Sequence, residues 1–237
     1  MEHVDFLNLA AAVSIECQEP GDTFGNLVLR NGKNTKEFRE PQLRHLWARR
    51  VDDMRGSGFA YSFEYPTGEK YSFFSKSEAP DSRSGLVDFA LYAAPLALQP
   101  LPQVLVEFKV GLSAGSIRTD LIKLMRESAQ RQVHGCAVML VKQKARLQDV
   151  ELLGINLPLV IRQATNPEAG HISPEELQAL TRNPTWFELL LVVRDGAGQG
   201  SYRLGNLSIS DLLSESDLSD QLRDSRHWAE RWVATPR

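Results

Sequence analysis

The chain has 237 residues, 42% of them hydrophobic and 24% charged, enough for the core of one large domain and ordinary for a globular protein. A net charge of −3 excludes a global basic field, so a nucleic-acid surface on this chain has to be a local patch. Its basic residues are 19 Arg and 8 Lys, a bias that suits forked recognition of phosphate or carboxylate and equally suits a GC-rich coding sequence.

Residues 2 to 18 form an apolar-rich helical opening, with Val4, Leu7, Ala11 and Ile15 on one side and Pro20-Gly21 as its stop. A short strand is expected at Phe24–Arg30, followed by a turn at Asn31-Gly32-Lys33-Asn34. From Pro41 to Arg55, Leu43, Leu46, Trp47, Val51 and Met54 keep the 3-4 spacing of an amphipathic helix, and Pro41 fits the first helical position. A hairpin is expected next, Phe59–Tyr65 returning as Glu69–Ser75 around Pro66-Thr67-Gly68.

Two apolar runs follow that each carry charge. The first, Gly85–Tyr92, has Asp88 in its middle. The second, Val104–Val110, has Glu107 and Lys109 two residues apart, so both side chains leave the same face of the pleat. A helix over about 116 to 132 then leads to Cys136–Lys142, which reads as a fully buried strand of a parallel pair. Beyond it lie a strand at Ile155–Gln163, a short helix at Ser173–Thr181, strands at Trp186–Arg194 and Tyr202–Ile209, and a helix over about 215 to 233 that contains Trp228 and Trp232. No long linker divides the chain, so residues 1–237 read as a single domain, with 143–237 elaborating the part before it.

Cys17 and Cys136 sit in different elements and make no disulfide framework, which fits a reducing compartment. With no basic-then-apolar leader and no apolar run of membrane-spanning length, a soluble cytoplasmic protein is expected.

An acid in a buried strand is costly without a partner, and Asp88, Glu107 and Lys109 fall on neighbouring strands. Acid-x-Lys alone is a chance-level pattern: 8 lysines and 30 acids in 237 positions give roughly one occurrence, and one occurs. Its setting carries the weight, because the triplet follows a second acid-bearing strand and precedes a helix and a third strand. This arrangement resembles the PD-(D/E)xK nuclease superfamily over about residues 37–142.

The resemblance implies an α/β, restriction-endonuclease-like core of helix, mixed sheet, crossover helix and strand. It implies a Mg²⁺- or Mn²⁺-dependent endonuclease acting on nucleic acid, DNA by preference, and cutting both strands suggests a homodimer. Asp88 takes the place of the first acid, Glu107 the second and Lys109 the lysine, with the Phe108 carbonyl as a further oxygen for the metal. Pro80-Asp81 competes with Asp88 for the first role, although its loop setting favours a turn.

Glu40, before Pro41, projects towards the sheet and could complete the site; a helix-start acid complementing the dipole is the other reading of it. Glu37 and Glu16 are lesser alternatives. On the helix after the triplet, Asp120, Lys123, Arg126 and Glu127 alternate in charge as on a solvated face, and Arg118 and Lys123 could instead reach a nucleic-acid backbone. The competing expectation is a catalytically inactive scaffold of the same fold, serving as a binding, assembly or immunity module, in which Lys109 and Glu107 form an internal ion pair.

Overall fold

The computed structural model describes residues 3–17, 23–24, 27–28, 40–54, 58–70, 84–93, 100–111, 114–131, 133–143, 175, 178, 186–194 and 200–206. Within them the order is α1 (His3–Glu16), β1 (Thr23–Phe24), β2 (Leu27–Val28), α2 (Glu40–Asp53), β3 (Phe59–Lys70), β4 (Ser84–Ala93), β5 (Val104–Val110), α3 (Ala114–Arg131), β6 (Gly135–Gln143), β7 (Trp186–Arg194) and β8 (Gly200–Asn206). Strands β3 to β8 make one six-stranded sheet in sequence order. β3, β4 and β5 run antiparallel, β5, β6 and β7 parallel, and β8 returns antiparallel on β7. The expected helix, mixed sheet, crossover helix and strand are therefore present, and β7 and β8 continue the same sheet.

Alternation along the strands sends successive side chains to opposite faces. Phe89, Leu91, Val104, Val106, Phe108, Ala137, Met139 and Val141 pack with Phe6, Leu9 and Val13 of α1 and with Leu43, Leu46, Trp47 and Val51 of α2. Trp47 anchors this layer, its indole N–H donating to Met139 Sδ at 3.1 Å. The other face, with Glu107 and Cys136 on it, is covered by α3, where the Cys136 thiol donates to the Leu124 carbonyl. Both cysteines are free and buried, and burial pushes both thiols far up, as inert apolar groups. Among the described residues no helix is long and apolar enough to cross a membrane.

Three expectations need correction. The hairpin at Pro66-Thr67-Gly68 is absent: β3 continues through these residues, with Tyr65 opposite Val87, Pro66 opposite Leu86 and a register shift before Lys70. Pro66 is tolerated because β3 is an edge strand of the sheet, where a missing N–H breaks no inner ladder. The strand at Phe24–Arg30 is instead a two-residue pair, β1 with β2. The solvated charged face of α3 is also wrong, since Asp120, Lys123 and Glu127 are buried. The elements expected at Ile155–Gln163 and 215 to 233 lie outside the described residues, as do Glu37 and Asp81; of the helix expected at Ser173–Thr181, Glu175 and Gln178 are described, and both are helical.

Candidate metal centre

The site forms where β4 and β5 part. Their ladder runs from Leu91↔Val104 to Phe89↔Val106. One step further, the Asp88 carboxylate takes the Phe108 N–H at 2.9 Å, so a side chain fills the place of a ladder partner. This puts Asp88 in the gap between the strands, beside Glu107 across it. From α2, the Arg44 guanidinium reaches Asp88 and, at 3.1 Å, Glu64 of β3. Glu64 lies opposite Asp88 with φ of 53°, a left-handed conformation that costs a non-glycine residue roughly 1–3 kcal/mol. Local strain is thus stored beside Asp88.

Glu107 is 1% exposed and ion-paired with Lys123 of α3. The Lys123 ammonium also donates to the Leu86 carbonyl at 2.7 Å and lies 3.6 Å from Asp120. Lys109, on the same face as Glu107, sits 3.0 Å from Asp120 and 3.6 Å from Glu40. Five carboxylates (Glu40, Glu64, Asp88, Glu107 and Asp120) therefore share three cations (Arg44, Lys109 and Lys123).

The electrostatics follow from burial first and from this surplus second. Burial holds the Glu107 carboxyl well above its usual range; Lys123 pulls it back, while Asp120 and Asp88 push it further up. Asp120 is raised in the same way, by burial first, against the pull of Lys109 and Lys123. Burial works against the charge of Lys109, but Asp120, Glu40 and Glu107 outweigh it and keep the ammonium charged to higher pH. Arg44 is likewise held charged against its burial, chiefly by Asp88 and Glu64.

The structure brings Asp88, Glu107, Lys109 and Glu40 into one cluster. Phe108 contributes its N–H to Asp88 and its ring to the core. Glu16 is elsewhere, clamping α1 to α2 through Arg49 and Arg50. Lys123 points inward at Glu107, and Arg118 lies on α3. The reading from sequence missed Asp120, Arg44 and Glu64. Asp120 was legible in principle: Ile117, Asp120, Leu121 and Leu124 keep one 3-4 stripe, so a carboxylate there faces the sheet. Arg44 follows Glu40 by four residues and adjoins Leu43, which places it on the sheet-facing side of α2. Glu64 had no such signal, because its position depends on a backbone conformation that no spacing encodes.

The donors fit a hard divalent cation in kind. Asp88 and Glu107 supply carboxylate oxygens, and Mg²⁺ is commonly held by one or two carboxylates with water completing the shell. The Glu107 carboxyl is raised by burial first, and then by Asp120 and Asp88 beside it, against the pull of Lys123. Among the described residues no three His, Cys, Asp or Glu side chains come together as a metal-binding group, so a cation here would rest on the Asp88–Glu107 pair and displace Arg44 from the Asp88 oxygen it took.

No protein-family model matches the chain, and neither does any curated protein. Among solved structures, SfsA of Pyrococcus furiosus, determined in complex with Ca²⁺, is similar with a TM-score of 0.27 and 14% identity over 71% of this chain. The match spans 63% of that protein, less than two thirds of its length. A likeness of that degree assigns neither activity nor ligand.

Proposed function

We propose that the chain is a metal-dependent nuclease of PD-(D/E)xK type that hydrolyses phosphodiester bonds in nucleic acid, DNA by preference. The observation that carries this reading is the convergence of Asp88, Glu107 and Lys109 at the β4/β5 gap, with Asp88 fixed there by the Phe108 N–H. Asp88 and Glu107 would hold Mg²⁺ or Mn²⁺, which when bound polarises a phosphoryl oxygen and lowers the pKa of water.

The chain's own groups supply the rest. Lys109 has a side chain 22% exposed, so its ammonium can meet a phosphate oxygen at the rim and offset developing negative charge. Asp120 and Glu40 hold that ammonium in place and charged. Arg44, half-buried and anchored on Glu64, offers a forked cation beside Asp88 for a second phosphate oxygen. Cutting both strands of a duplex requires two such sites, which a homodimer would provide.

One observation favours the second reading, an inert scaffold that binds partners. Arg44 already neutralises Asp88 and Lys123 already neutralises Glu107, so the acids are compensated without a metal. A Mn²⁺ titration followed by thermal melting separates the two. The nuclease reading expects stabilisation of about 2.7 kcal/mol at a hundredfold excess over Kd. That gain should vanish in Asp88→Asn. A melting curve indifferent to millimolar Mn²⁺ would favour the scaffold.

A further inference from the structure

Lys123 is 8% exposed, and its ammonium lies among three oxygen groups: the Glu107 carboxylate, the Leu86 carbonyl at 2.7 Å and Asp120 at 3.6 Å. Two carboxylates and a backbone carbonyl are the donor set of a hard cation site, here filled by a side chain. The three oxygens come from β4, β5 and α3, so the ammonium ties the helix to both strands at the place where they part.

We infer that Lys123 is a built-in cation, occupying beside Glu107 the position that a second divalent ion would otherwise take. The chain then has room for one exchangeable metal, at Asp88 and the Glu107 oxygen that Lys123 does not hold. Lys123 is thus a positioning residue: it holds Glu107 and Asp120 in register and does not itself meet substrate. The count of one metal rests on the nuclease reading; the cation cage around Lys123 does not.

The test is Lys123→Ala in the full chain, with melting and Mn²⁺ stoichiometry measured beside the wild type. In sodium buffer the variant should melt lower by about 6 °C or more, since a buried carboxylate has lost its partner. Ammonium or methylammonium should restore at least half of that loss in the variant and leave the wild type unmoved, while tetramethylammonium, too large for the cage, should restore nothing. The variant should also bind one Mn²⁺ more than the wild type.

If the nuclease reading fails, the wild type binds none and the variant one; if the inference fails, the two bind equal numbers and no ammonium salt rescues melting. Should Lys123→Ala be insoluble in every salt, Lys123→Ser, which keeps a hydroxyl in the cage, takes the same measurements, and the same results support or overturn the inference.

Discussion

Glu107 shows most clearly how burial and charge set the behaviour of the site. A carboxyl whose folded pKa is raised is more easily buried as the neutral acid. Its contribution to stability is complete below the ordinary value of 4.5 and is lost as pH rises through the raised value. Asp120 adds a loss of the same sign, starting from 3.8. Lys109, raised from 10.5, contributes throughout neutral pH and gives its share up only in strong alkali. In EDTA, the stability of Glu107→Gln relative to the wild type should therefore improve steadily from pH 4.5 towards neutrality. Urea midpoints across that range check it, and a difference that is flat or of opposite slope contradicts it. The amide is the right probe, because Glu107→Ala would strand Lys123 without its partner on β5 and confuse folding with chemistry.

Among the elements, β3 and α3 carry the differences between what the sequence suggests and what the chain does. Pro66-Thr67-Gly68 has the composition of a turn, yet tertiary bonds keep it extended. The Thr67 hydroxyl donates to the Gly85 carbonyl at 2.8 Å, and the Gly68 N–H donates to Glu127 of α3 at 2.9 Å. Turn propensity is local, whereas these partners lie 18 and 59 residues away, so no reading of the segment alone could find them.

Glu127, fully buried, is also ion-paired with Arg131, whose guanidinium bonds Tyr65 on β3. Replacing Glu127 with Ala leaves a buried N–H and a guanidinium short of an acceptor and should cost about 3 kcal/mol in chemical denaturation. On the opposite face of the sheet, Gly135 lies under Trp186, and a Cβ there would fall 2.0 Å from the ring. Phe6 packs on the same ring at 4.7 Å and blocks its retreat. Gly135→Ala should therefore lose about 2–3 kcal/mol; a neutral result would show that Trp186 can move.

At the scale of the whole molecule, much of the frame is legible because it depends on the pattern of apolar residues. The α2 stripe of Leu43, Leu46, Trp47 and Val51 and the α3 stripe repeat at 3.6 residues, while β4, β5 and β6 stand out as short continuous apolar runs. Asp88, Glu107 and Lys109 were visible for a related reason: charge inside an apolar run is conspicuous. Their partners were less visible: spacing can place Arg44 and Asp120 on the sheet-facing sides of their helices, but among the other charges there it does not say which acid or cation each one meets.

That packing makes the molecule a six-stranded sheet whose charged gap lies between α2 on one side and α3 on the other. Whether this gap is a metal-dependent hydrolytic centre is decided most directly by the cleavage of DNA by the purified full chain. The assay compares Mg²⁺ or Mn²⁺ with EDTA, and runs Glu107→Gln and Lys109→Gln in parallel. Cleavage is expected only with divalent metal, and its loss, at least a hundredfold, in both folded variants; intact DNA with the wild type in both metals, or undiminished cutting by either variant, would contradict it.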